Sequence, residues 1–238
     1  MKHSRSSRKR KKFGSEGNKS DKKTDQLKKS KKNMSKKQEN FGAKRRLNST
    51  KENQILKRNQ NGDVIFDQFP DFRPNLTPHE IFSMGSFGGT YWRPISSSVT
   101  EKQYRNQYKK YPTTWWKGIP KENLVTPWDD YNKNVNKYKV KVGTTLEFWE
   151  SKGWITKYHP YGWVQWYCDF YSGKRGPDDQ RQMKRWIRTA GPNSRFRKAL
   201  INLIKKKKSK WDDFSISPKR RQTLQHWGYI LTKKDFEK

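Results

Sequence analysis

A single cysteine, Cys168, stands among the 238 residues. An intramolecular disulfide and a cysteine-built zinc site are therefore excluded, and a reducing compartment or a virion interior fits such a chain. Long apolar runs are missing too. No stretch approaches the roughly 18 residues of a membrane span, and the N-terminus lacks the apolar segment of a secretory signal, so the expectation is a protein neither inserted in a membrane nor secreted. Acids are scarce: 22 Asp and Glu face 56 Lys and Arg, for a formal charge of +34. Charge of one sign at that density attracts phosphate, which makes nucleic acid the first partner to consider and an anionic membrane surface a distant second.

Aromatic residues are nearly absent from the first 60 positions, which hold Phe13 and Phe41 but no Trp, whereas all 11 Trp and all 11 Tyr lie beyond. Those 60 residues carry 22 basic and 5 acidic groups, net +17; the other 178 carry 34 and 17, again net +17. Basic clusters at Arg8–Lys12, Lys22–Lys23, Lys28–Lys32, Lys36–Lys37 and Lys44–Arg46 are separated by Ser, Asn, Gly and Gln. Such a segment buries too little apolar area to offset chain entropy of about 1–2 kcal/mol per ordered residue. The expected organisation is a disordered Lys-rich arm over 1–63 and one Trp-rich helical domain over 64–238. Three roles suit the arm: a nucleic-acid tether, a nuclear import signal at Arg8–Lys12 or Lys44–Arg46, and a solubilising tail.

Within the domain, short helical periods alternate with Gly and Pro. Thr77, Pro78 and Glu80 carry the signature of a capped helix start, with Gly85 as its stop. Tyr104, Tyr108 and Tyr111 share a helical face before Pro112, Tyr138–Val142 alternates weakly as a short strand would, and Thr144 with Glu147 repeats the capping-box spacing. Trp163, Trp166, Tyr167 and Phe170 stand at i, i+3, i+4 and i+7, the spacing of a buried stripe, with exposed base-stacking platforms as the competing reading. After Asp178 as a cap, Met183, Trp186, Ile187 and Ala190 form one face, and Arg181, Lys184, Arg185 and Arg188 the opposite one. Beyond Gly191 and Pro192, Phe196, Ala199, Leu200 and Leu203 are placed inward, and Arg195, Lys198 and Lys205 outward. A last helix starts at Ser217 and Pro218, with Leu224, Trp227 and Leu231 apolar and Lys219, Arg220 and Arg221 in its first turn. There the helix dipole disfavours cations by a few tenths of a kcal/mol, and an external anion would remove the conflict. The fold class expected is mainly α, a single compact helical domain with little or no sheet.

Several runs are similar to an uncharacterised Trp-rich domain met in large DNA viruses and in some algae and fungi. They are Pro70-Asp-Phe-Arg-Pro-Asn-Leu-Thr-Pro78, Met84-Gly-Ser-Phe-Gly-Gly-Thr-Tyr91, Leu146 to Ile155, Tyr161-Gly-Trp163 and Arg221 to Trp227. The resemblance spans about residues 65–235. It implies a viral setting and carries no activity.

Catalytic candidates are thin. His3, His79, His159 and His226 fall at no metal-ligand spacing, so neither a metal nor another cofactor is expected. Cys168 reads as a small buried residue rather than a nucleophile. The pairs Asp129–Asp130, Asp178–Asp179 and Asp212–Asp213, joined by Glu147 and Glu150, would matter only if the fold brought them together around metal ions. The Gly85–Gly89 segment could cradle a phosphate but lacks the Walker lysine spacing. What remains is a cationic helix face with four bases and no acid, where a solvated helix would mix both signs.

The expected function is sequence-nonspecific binding to DNA, with RNA as a second partner, in a nucleus or virion. Arg181, Lys184, Arg185, Arg188, Arg195, Lys198, Lys205, Lys219, Arg220 and Arg221 would supply the phosphate contacts. A nucleic-acid-processing enzyme and a structural or RNA-associated virion protein stand as the alternatives.

Overall fold

The computed structural model describes residues 57–238. The Lys-rich arm up to Leu56 lies outside the described residues.

Gly and Pro placed at the ends of the helical periods keep most helices short, and the large aromatics decide how they pack. Helix α1 (Pro78–Ser83) starts on a complete capping box, with Thr77 accepting from the Glu80 N–H and the Glu80 carboxylate accepting from the Thr77 N–H; Gly85 turns the chain away at φ 89°. Strands β1 (Ile95–Ser97) and β2 (Lys102–Tyr104) pair antiparallel with Ile95 opposite Tyr104, and they are the one sheet among the described residues. The chain then passes through 3-10 turns at Gln107–Lys110, Thr113–Trp116, Trp128–Asp130 and Lys133–Val135, with one helical turn, α2 (Glu122–Val125), among them. Next come α3 (Leu146–Ser151), α4 (Trp163–Tyr171), α5 (Asp179–Ala190), α6 (Arg195–Lys206), α7 (Pro218–His226) and α8 (Lys233–Glu237). The domain is mainly α with a two-stranded sheet, as the periodicities require.

Helix α4 is the hub. Trp163, Trp166, Tyr167 and Phe170 are all buried. Phe72 sits among them, 5.4 Å from Trp166, 5.6 Å from Phe170 and 5.2 Å from Trp186 of α5, the last two edge-on. Each such pair contributes roughly 0.5–1.5 kcal/mol beyond its buried area. A neighbouring set gathers Phe82, Tyr91, Trp92, Tyr111, Trp116 and Tyr161. Tyr91 joins the two sets, since its hydroxyl donates to the Tyr161 carbonyl and accepts from the Gln165 N–H of α4.

The structure corrects several local expectations. Tyr104 closes a strand instead of opening a helix, and Tyr138–Val142 is irregular because its amide and carbonyl bonds go to side chains, with Tyr138 N–H donating to Gln222 and Asn136 donating to the Val140 carbonyl. The cap of α3 is Thr145, one residue after Thr144. Asp178 holds the N-cap position of α5, but its side chain makes no capping bond and turns to Arg181 and Gln182. In α6 the inward stripe is Arg197, Leu200 and Ile204, so Phe196 is 40 % exposed. Arg197 is pulled in by a buried ion pair with Asp235 at 2.5 Å and by the Tyr229 ring beneath its guanidinium. Ile187 likewise leaves the buried face of α5 and is 38 % exposed. Leu231 lies beyond the end of α7, and that helix buries Gln222, Gln225 and His226 alongside Leu224.

Candidate nucleic-acid interface

Helix α5 packs on α6, and α6 on α7. Through those packings the basic residues of the last third of the chain reach the surface.

At 100° per residue, the solvent-facing arc of α5 runs from Ile187 through Lys184, Arg188 and Arg181 to Arg185 at its edge. Lys184 and Arg188 are exposed, and neither has a carboxylate partner among the described residues; Arg188 donates to the Lys184 carbonyl. Arg181 is neutralised, because its guanidinium grips both oxygens of Asp178 at 2.6 and 3.0 Å. Against the cost of its burial, His159, the Arg181 grip and Gln182 together hold Asp178 well below the usual carboxylate range. Arg185 is half-buried. It donates to the Trp154 carbonyl and to Gln182, lies 5.3 Å from the Trp227 ring centre, and burial lowers its pKa to about 10.

On α6, Arg195, Lys198 and Lys205 are exposed, as their spacing predicts. At the start of α7, Lys219 and Arg220 are exposed and line a shallow concavity of about 560 Å³ with Val140, Phe196, Ser217 and Pro218. Arg221 is withdrawn from the phosphate-contacting set. Only 3 % exposed, it donates to the carbonyls of Ile216, Trp211 and Asp213 and so ties the 211–217 loop to the helix. The dipole conflict expected of three cations in that first turn is thereby reduced to two in solvent.

Beside Arg185 lies a surface that periodicity did not reveal. Phe148 of α3 is 41 % exposed and Trp154 is 43 % exposed, with ring centres 5.9 Å apart and planes at 81°. Lys152 hangs over Phe148 at 5.4 Å, and Arg185 lies 6.0 Å from the Trp154 ring. The signal that could have found this corner is the placement of Trp154 just past Gly153, off the helical stripe of α3 and beside Ile155, which takes the buried position.

Several of the groups weighed for catalysis are engaged by neighbouring side chains. Asp179 accepts from the Trp166 indole and the Gly176 N–H, Asp213 from Ser209 and Ser215, and Glu150 from Ser97 and Ser98. No group of three His, Cys, Asp or Glu could hold a metal among the described residues. Cys168 is fully buried within α4, and desolvation drives its thiol pKa up. His226 is buried against Phe87 with ring centres 3.8 Å apart, accepts from the Phe87 N–H, and is pushed down to about 3 by burial. The Gly85–Gly89 turn is filled by the chain itself. A Cβ on Gly85 would collide with the Val135 carbonyl and one on Gly88 would enter the Tyr131 ring, while the Gly88 N–H is already given to Asn136. These glycines serve close packing, and the amides of Phe87 and Gly88 are not free for a phosphate.

No protein-family model, curated protein or solved structure matches this chain. No helix among the described residues is long and apolar enough to cross a membrane.

Proposed function

We propose that this protein binds nucleic acid through its phosphate backbone without reading sequence, with DNA as the first partner and RNA as the competitor, in a nucleus or virion. The observation that carries the reading is the pair Lys184 and Arg188, adjacent on the exposed arc of α5 and unmatched by any acid among the described residues. Arg195, Lys198 and Lys205 on α6, and Lys219 and Arg220 at the start of α7, extend the basic surface, while Arg181 and Arg221 serve the fold. The +17 of the first 60 residues adds further phosphate contacts of the same indifferent kind.

Backbone contact releases counterions, so log K should fall linearly with log salt by about 0.9 per phosphate contact on duplex DNA. The test is a titration of labelled duplex with the full chain at several salt concentrations, repeated with Lys184→Gln and Arg188→Gln together. Binding that weakens steeply with salt, with a slope made shallower by roughly two contacts in the double variant, supports the reading. Affinity that barely changes between low and moderate salt overturns it.

A further inference from the structure

We infer that the Phe148–Trp154 corner is a stacking site for unpaired bases, which makes a single strand the preferred form of the nucleic acid; this rests on the phosphate-binding reading above. Sequence-tolerant single-strand sites combine cations that track the backbone with aromatic faces on which bases lie, and both parts are present here.

Trp154 is held in its exposed position by its surroundings. Its N–H donates to the Trp149 carbonyl, its own carbonyl accepts from Arg185, and the next residue, Ile155, is anchored in the core. A large ring kept in water by three backbone restraints, when its neighbour takes the core position, is preorganised for a partner. The partner must suit the charges around it. Lys152 above Phe148 and Arg185 beside Trp154 give the corner a basic border, and Arg188 follows Arg185 by about one turn of α5. The acids at hand are Glu147, which is exposed, Glu150, whose oxygens are taken by Ser97 and Ser98, and Asp178, which is buried and gripped by Arg181. An apolar protein surface would satisfy the rings and leave the cations unmatched, whereas an unpaired nucleotide brings a flat ring and a phosphate together. A duplex keeps its bases stacked inside and can use the cations only.

The decisive comparison is between a short oligothymidylate and an abasic oligonucleotide of equal length, which carries the same phosphates without bases. The full chain should bind the first more tightly. Trp154→Ala should lower oligothymidylate affinity by about five- to a hundred-fold while leaving abasic and duplex affinities unchanged. Trp154→Phe should keep most of the preference, and Phe148→Ala should reproduce a part of the loss. Phe148→Ala is also the working variant if Trp154→Ala does not fold.

Each contrary result is distinct. An unchanged preference in Trp154→Ala, with Lys184→Gln still weakening every ligand, overturns the stacking site and leaves phosphate binding standing. An equal loss on all three ligands makes Trp154 a support for Arg185, which also overturns the stacking site. Adhesion to phosphatidylserine vesicles that depends on Trp154, with no oligothymidylate preference, replaces the base by a lipid surface. Failure to bind any oligonucleotide removes both readings.

Discussion

Two groups of aromatic side chains, one on α4 and one at the corner between α3 and the 152–155 loop, are built from the same residue types and meet opposite surroundings. Trp163, Trp166, Tyr167 and Phe170 disappear into a ring-on-ring core, while Phe148 and Trp154 stay in water beside Lys152 and Arg185. The same division runs through the arginines. Arg197 and Arg221 are interior ties to Asp235 and to loop carbonyls, whereas Arg188 and Arg195 face solvent. In this domain neither aromaticity nor charge fixes which side of the surface a residue takes. Available hydrogen-bond partners and backbone restraints do.

Substitutions that treat the two groups alike in chemistry should separate them in effect. The largest difference is expected between two tryptophans. Trp166→Ala should cost about 3–5 kcal/mol in urea unfolding, since it empties the middle of the core and removes one of the two donors to Asp179, whereas Trp154→Ala should cost under about 1 kcal/mol. Comparable losses would dissolve the contrast. Arg197→Ala should also cost about 3 kcal/mol, because it leaves the Asp235 carboxylate only the Tyr229 hydroxyl and the exposed Lys238, against less than about 0.5 kcal/mol for Arg195→Ala, two residues away in solvent.

Acid should expose the interior's intolerance of charge. The His226 ring, with its pKa near 3 in the fold against an ordinary 6.5, stays neutral where the unfolded chain takes up a proton. Its contribution is therefore complete above about pH 6.5 and falls by about 1.4 kcal/mol per pH unit as pH drops from there towards 3. Urea unfolding across that range should show the slope, and His226→Gln should lack it; an equal slope in both would place the imidazole within reach of protons. The smallest effect belongs to the surface cations. Lys198→Gln should leave the unfolding midpoint unmoved and reduce the salt slope on duplex DNA by about one contact, and a slope that stays put would assign Lys198 to solvation alone.

Much of this division was legible in the sequence. The capping box at Thr77, the buried stripe of α4 and the exposure of Lys184, Arg188, Arg195, Lys198 and Lys205 follow from residue type and a 3.6-residue period. The missing parts depend on partners distant along the chain. Phe196 reads as the inward residue of α6 until Asp235 arrives to receive Arg197, which rotates the buried stripe by one position. Arg221 reads as a surface cation because nothing local shows that the 211–217 loop will fold its carbonyls over the guanidinium. The burial of the α7 amides rests on equally remote partners, since Gln225 donates to the Ile81 carbonyl and Gln222 accepts from the Tyr138 N–H. Trp154 stands alone beyond the Gly153 helix stop, so periodicity does not assign it to either side of the surface.

The Gly85–Gly89 turn has a consequence for the order in which the chain is made. Its backbone is clasped by Asn132, Asn136 and Lys137, and the Phe87 N–H by His226, 139 residues further on. A turn with such late partners cannot settle while it is being synthesised, because closing the long loop costs entropy before any contact returns it. Until residue 226 has left the ribosome, Tyr91 and Trp92 lack their full enclosure. The first-made aromatic half is thus the stretch a chaperone would have to shelter, and α7, which carries His226, is the helix that ends its vulnerability.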